Sequence, residues 1–216
     1  MKKQVDKSHY KFKKYINKLR WASIWHQIDE LVTLNPQRVL EIGPGPGVLK
    51  AVMRQLEIGF ETLDIDPELK PDHLASVFDM PFEDAEYDVV CAFQVLEHLP
   101  FEMAIQAFRE MARVASKAVV ISLPNSAKCW PFSIYVPFLG VRQFLIPRPR
   151  MRLAAPTHHF DGEHFFEINK AGYSLKDVTN ALLSEGNVHL TKTYRVHENN
   201  YHQFFIFDKN DPSKKN

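Results

Sequence analysis

Val39-Leu40-Glu41-Ile42-Gly43-Pro44-Gly45-Pro46-Gly47 decides the reading of this chain. The apolar run Arg38 to Ile42 has the length of a buried strand and passes through a glycine-proline turn into the amphipathic stretch Val48 to Leu56, which reads as a helix. Glycines at such a turn lack the side chains that would hold a ligand away from the backbone. Their spacing argues against one large class of ligand. A dinucleotide fingerprint, G-x-G-x-x-G, would need its third glycine at Val48, whereas Gly47 follows Gly45 by two residues. A second signal comes from Asp64, which ends the next apolar run, 17 residues after Gly47. A carboxylate there can accept both hydroxyl protons of a ribose. Either feature alone would be an ordinary turn; together, on successive strands, they point to a nucleoside-bearing ligand.

Outward from this turn, strands alternate with helices. Phe60 to Ile65, His73 to Phe78, Tyr87 to Phe93 and Ala118 to Leu123 read as further strands. Phe101, Ile105, Phe108, Met111 and Ala115 make a helical stripe before the last of these. Alternation of this kind predicts a parallel α/β sheet. Before it, apolar positions from Tyr15 to Val32 recur at helical spacing until Pro36. After it, Leu175 to Leu183 reads as a helix, and Val188 to Val196 with His202 to Phe207 as an antiparallel strand pair. Residues 124–173 break the pattern. Six prolines there, Pro124, Pro131, Pro137, Pro147, Pro149 and Pro156, exclude one long helix and predict an irregular insertion. The organisation expected is one domain: a helical cap (1–35), a core (37–123), the insertion (124–173), a closing helix and strand pair (174–208) and a polar tail (209–216).

The chain has 216 residues, with 27 Lys and Arg against 26 Asp and Glu, so no global field draws it to nucleic acid, and none is expected as a partner. The basic excess is local, in Lys2, Lys3, Lys7, Lys11, Lys13, Lys14, Lys18 and Arg20, and reads as a solvated helix face or a contact with an anionic partner. Two cysteines, Cys91 and Cys129, are too few to staple a secreted fold, and neither an export signal nor a membrane span is visible. A cytoplasmic location with reduced thiols is the expectation. Oligomeric state does not follow from the sequence.

At this point the sequence resembles the class I S-adenosylmethionine (SAM) dependent methyltransferases, in particular the group with a type 11 methyltransferase domain, over roughly residues 37–123. Val39 to Gly47 looks like that family's first motif. Thr62-Leu63-Asp64-Ile65-Asp66-Pro67 looks like its ribose-binding acid and following helix start. Asp79-Met80-Pro81-Phe82 with Tyr87-Asp88-Val89-Val90, and Phe93-Gln94-Val95-Leu96-Glu97-His98-Leu99, resemble its next two motifs in order. The resemblance implies a Rossmann-like, mostly parallel sheet of seven strands with helices on both faces, an antiparallel C-terminal strand, an N-terminal helical cap and an insertion after the fifth strand. It implies SAM as cofactor, with Glu41, Gly43, Pro44, Gly45 and Gly47 around the methionine and ribose and Asp64 and Ile65 at the ribose. Val77, Phe78 and Asp79 would lie beside the adenine and Gln94 at the methionine end. Ser76 departs from the family's frequent acid near that position, a contact that Asp79 would then take over.

Methyl transfer from a sulfonium is an in-line displacement, so alignment in a dry site supplies much of the rate, and a base matters mainly for a hydroxyl acceptor. His158-His159-Phe160-Asp161-Gly162-Glu163-His164 concentrates imidazoles and carboxylates in the insertion. His159, Asp161 and His164 are the candidate base or acceptor-binding groups; the competing reading is a hydrogen-bonded loop. No recognised metal-ligand spacing is present, and no metal is expected. His98 is a further candidate base. The polar and aromatic positions Tyr15, Arg20, Trp21, Ser23 and Gln27 read as a cofactor cap or as packing on the sheet. Trp130 to Leu139, unusually apolar for a loop and followed by Arg142, Arg148, Arg150 and Arg152, reads as a wall for an apolar acceptor, as core or subunit interface, or as a peripheral membrane contact. The function expected is methyl transfer to an unidentified, small-molecule acceptor. The alternatives are a non-catalytic SAM-binding accessory protein and a nicotinamide-dependent oxidoreductase.

Overall fold

In the computed structural model, which describes residues 15–149 and 155–209, the glycine turn joins β1 (Arg38–Ile42) to α2 (Val48–Gln55), and α1 (Lys18–Thr33) precedes it. The chain continues through β2 (Gly59–Asp64), β3 (His73–Leu74), β4 (Tyr87–Phe93), α3 (Phe101–Val114) and β5 (Ala115–Pro124). A pair of strands, β6 (Cys129–Val136) and β7 (Gly140–Pro147), is followed by α4 (Leu175–Gly186), β8 (His189–Arg195) and β9 (His202–Asp208). Seven strands form one sheet in the order β3-β2-β1-β4-β5-β9-β8. The first five run parallel; β9 pairs antiparallel with both β5 and β8. This is the Rossmann-like sheet expected. Strand order reverses at β1, whose neighbours are β2 and β4, so a crevice opens at the carboxyl ends of those three strands.

The central strands read as mostly apolar runs, with Glu41 of β1 and Ser122 of β5 as buried polar exceptions, because both sheet faces are covered. Leu40, Val90, Val119 and Phe205 belong to one buried cluster with Phe108 and Met111 of α3 and Val178 and Leu182 of α4. Their chain neighbours Val39, Val89, Val120 and Phe204 belong to a second cluster, with Leu31 of α1 and Leu49 and Met53 of α2. The period of two sorts successive side chains to opposite faces. Ser174 caps α4: its hydroxyl oxygen accepts the Asp177 N–H at 3.1 Å. Ser174→Ala is expected to cost about 1 kcal/mol of stability, read as a lower denaturation midpoint at unchanged slope.

Two elements differ from the sequence reading. β3 stops at Leu74, because Ser76 and Asp79 bridge in a turn in which the Phe78 N–H reaches the Ser76 hydroxyl; Val77 and Phe78 are apolar because that turn packs on the core. The insertion is not irregular throughout. Cys129–Val136 and Gly140–Pro147 pair antiparallel as a separate hairpin, with Trp130 opposite Ile146 and Phe132 stacked on Phe144. Proline lacks only a donor, and a strand with one partner tolerates it wherever the missing N–H would face away. Phe138 at the hairpin tip is fully exposed, and Tyr135, Leu139 and Val141 are exposed beside it. The basic start (residues 2–14), Arg150, Arg152 and most of the polar tail lie outside the described residues.

Candidate functional site

Gly43 is the first residue past β1. Its N–H donates to the Leu63 carbonyl at 2.9 Å, its φ is +67°, and a Cβ there would lie 2.7 Å from Cγ2 of Val95. Both conformation and space exclude a side chain, so the backbone itself forms the floor. Asp64 ends β2 beside it, one carboxylate oxygen accepting the Asp66 N–H at 2.8 Å. Gln94 follows β4 with φ +57°, an unusual conformation for a residue with a Cβ. It is held there by Ser122, whose carbonyl accepts its N–H at 3.0 Å and whose hydroxyl accepts from its amide at 3.2 Å.

These three strand ends enclose a cavity of about 320 Å³, within the range of small-molecule and cofactor sites. Of the residues expected at the cofactor, Gly43, Gly45, Asp64, Ile65, Val77 and Gln94 line it. Glu41 and Pro44 line a smaller adjoining recess beneath Tyr15 and Arg20. Gly47, Phe78 and Asp79 line neither: Gly47 caps α2 in a left-handed conformation, and Asp79 lies exposed beyond the turn. Tyr15 and Arg20 line both spaces, with the guanidinium stacked 3.9 Å over the phenol ring, so the leading segment does cap this crevice.

Of the three candidate chemical groups, Asp161 and His164 come together and His159 stands apart. His164 is half-buried and lines the cavity. Asp161 is exposed and accepts the N–H groups of His164 (2.7 Å) and Glu163 (3.0 Å), and these bonds hold its carboxyl below the usual range. His159 is exposed and lines neither space. His98 does reach the cavity, its ring 5.1 Å from that of His164, and burial holds it below the usual imidazole range. No residue of the β6–β7 hairpin lines either space.

Sequence reasoning missed Glu97, Tyr201 and His202, all of which line the cavity. For Tyr201 and His202 the signal was topological. β9 is antiparallel and pairs His202 with Pro124, so its beginning lies at the carboxyl ends of the parallel strands. The Tyr201 phenol donates to Glu167, and burial pushes its pKa up. Burial drives His202 down to about 3, helped by Arg20, so it is neutral. Burial raises Glu41 to about 8 against the partial offset of Lys50.

Lys50 also anchors the site from the side. Its ammonium pairs with Asp72, which accepts from the Thr62 N–H (2.7 Å) and hydroxyl (2.8 Å) and so ties α2 to β2. Burial alone would raise the Asp72 carboxyl, but the Lys50 and Thr62 donors outweigh it and hold the pKa below the ordinary value. A carboxyl depressed by folding contributes its full stability above its unfolded pKa and loses it as the pH falls through the folded value. Asp72→Asn is therefore expected to flatten the acid limb of the stability profile below about pH 4, measured by denaturation across pH. An unchanged acid limb would remove Asp72 from that role.

Residues 13–170 match the family model described as "Methyltransferase domain". The chain belongs to this methyltransferase family. It is a SAM-dependent enzyme of class I, and SAM is its cofactor. Solved structures show the same fold at low identity. Magnesium protoporphyrin IX methyltransferase from Synechocystis PCC 6803, with bound SAM, is 12% identical, with 89% of this chain and 80% of that chain covered and a TM-score of 0.54. The 1,6-didemethyltoxoflavin-N1-methyltransferase from Burkholderia thailandensis, with 1,6-didemethyltoxoflavin and S-adenosylhomocysteine, is 13% identical, covering 89% and 78%, with a TM-score of 0.58. A SAM-dependent methyltransferase from Clostridium acetobutylicum ATCC 824 is 8% identical, covering 94% and 96%, with a TM-score of 0.58. Among curated proteins none matches in sequence. No helix among the described residues is long and apolar enough to cross a membrane.

Proposed function

We propose that the methyltransferase acts on a small organic acceptor, with SAM seated on Gly43, Gly45 and Asp64 and the acceptor entering against His164, His98 and Tyr201. The observation that carries this reading is the single cavity whose one wall is the glycine turn and ribose acid and whose other wall is imidazole and phenol. SAM, when bound, supplies a methyl group on a positively charged sulfur. The chain's part is to hold and align. Asp64 accepts from the ribose hydroxyls, and the bare backbone at Gly43 and Gly45 lets the cofactor approach closely. Ile65 offers apolar contact at the ribose and Val77 at the adenine, and Gln94 presents polar atoms at the methionine end. Exclusion of water by the Tyr15 and Arg20 cap favours a dry, aligned displacement. His164 is the group placed to take a proton from a hydroxyl acceptor.

Two structural neighbours named for small organic acceptors, a porphyrin and a toxoflavin precursor, favour that substrate class. The D-M-P-F and V-L-E-H-L stretches support placement near the type 11 group, and two free, buried cysteines support a cytoplasmic location. Calorimetric titration with SAM and, separately, with a nicotinamide dinucleotide tests the cofactor site: SAM should bind and the dinucleotide should not. A screen of small hydroxyl, amine and thiol compounds read as S-adenosylhomocysteine release tests the activity. SAM binding without turnover on any compound class would favour an accessory protein.

A further inference from the structure

Glu97 carries a cost that the cofactor site does not explain. Its side chain is fully buried at the cavity wall, and neither carboxylate oxygen has a hydrogen-bond partner among the described residues. A buried carboxylate is tolerated when donors or a cation face it. Arg20 lines the same cavity and acts on the Glu97 carboxyl by charge, and a pair of imidazoles lies beside it: one ligand atom each from Glu97, His98 and His164 lie within 4.8 Å of one another. We propose that Glu97, His98 and His164 bind one divalent first-row transition-metal ion at the acceptor end of the cavity.

The surroundings of each imidazole suit that role. Ligating histidines almost always hand their other ring nitrogen to a carbonyl or carboxylate, which fixes the tautomer. His98 Nδ1 lies 2.9 Å from the Glu163 carbonyl oxygen. An oxygen of that kind only accepts, so Nδ1 carries the proton and Nε2 is the nitrogen that ligates. His164 Nδ1 lies 3.4 Å from a carboxylate oxygen of Glu167, which also accepts from the Tyr201 phenol. The same partner therefore orients His164. A second grouping, Asp161 with His164 and Glu167, has comparable spacing, but its carboxylates are already engaged: Asp161 by two backbone N–H groups and Glu167 by the phenol and Lys170. Of these two groupings among the described residues, only that of Glu97 contains an unsatisfied buried ligand.

The donor set chooses the metal. Two imidazole nitrogens and one carboxylate oxygen suit zinc, cobalt, iron or manganese, whereas magnesium and calcium prefer all-oxygen sites. Three protein ligands leave a coordination position open, as in catalytic rather than structural zinc sites. The cavity is the side from which an oxygen ligand would reach it. This deepens the reading of the site as an acceptor pocket and rests on it: a hydroxyl acceptor would bind the cation through its oxygen, and the cation makes its proton easier to lose.

The test uses the full chain, stripped with a chelator, dialysed against Zn²⁺ or Co²⁺ and analysed for bound metal. One ion per chain is expected, with visible Co²⁺ absorption characteristic of mixed nitrogen and oxygen ligation. Glu97→Gln and His98→Ala should each weaken binding by at least about tenfold. Zn²⁺ should raise the thermal midpoint of the wild type and not that of either variant. If Glu97→Gln fails to fold, His98→Ala at its half-buried position gives the same reading. Wild-type protein that binds no more metal than the variants overturns the proposal. A SAM titration on the same samples keeps the two readings apart: normal SAM affinity without metal binding defeats only the metal site, and metal binding without SAM affinity defeats only the cofactor site.

Discussion

Asp64→Ala is expected to weaken SAM binding by about 1.5–3 kcal/mol, roughly 10- to 160-fold, the range for losing hydrogen bonds to a charged group. The expectation rests on position. Asp64 ends β2, lines the cavity and stands next to the Gly43 floor through the Leu63 carbonyl contact. Its carboxylate also accepts the Asp66 N–H, so alanine could disturb the following turn as well as the ribose contact. Asp64→Asn separates the two effects: its amide oxygen can still accept from Asp66, but it carries no charge and accepts fewer protons from a ribose. The asparagine variant should therefore keep wild-type thermal stability and still lose affinity. Calorimetric SAM affinity unchanged in a folded Asp64→Ala protein would remove Asp64 from the ribose.

How much of this was legible depended on whether the deciding contacts were local. The parallel strands were readable because residues such as Val89-Val90 and Val119-Val120 are buried in pairs, one on each sheet face, and leave few polar members in the runs. The glycine turn was readable because spacing alone distinguishes it from the dinucleotide pattern. The hairpin was not. Pro131, Pro137 and Pro147 argue against a strand inside a sheet, and nothing local says that β6 and β7 have only each other as partners. β3 was read too long because Val77 and Phe78 owe their apolar character to a packed turn. At the site, nearness in sequence misled in one place and was silent in another. His159 and His164 are five positions apart, yet one is exposed outside the cavity and the other lines it. Glu97 and Tyr201 lie on opposite sides of the insertion and meet only through the folded sheet.

That separation makes the last expectation specific. His164→Ala should lower turnover on a hydroxyl acceptor by about 100-fold or more while SAM affinity stays near wild type, the signature of a group that acts on the acceptor rather than the cofactor. It holds whether His164 takes the acceptor's proton itself or binds the ion that makes the proton easier to lose. His159→Ala should turn over close to wild type, since the ring lines neither space. Asp161→Asn should fall between them. An asparagine oxygen can still accept the His164 and Glu163 N–H groups, so the loop keeps its shape, but the charge that strengthens those bonds is gone. Single-turnover kinetics with a hydroxyl substrate from the S-adenosylhomocysteine screen would read all three. Equal losses at His159 and His164 would mean that the loop acts only as a folded unit, and a wild-type rate in His164→Ala would move the chemistry to His98 or to alignment alone.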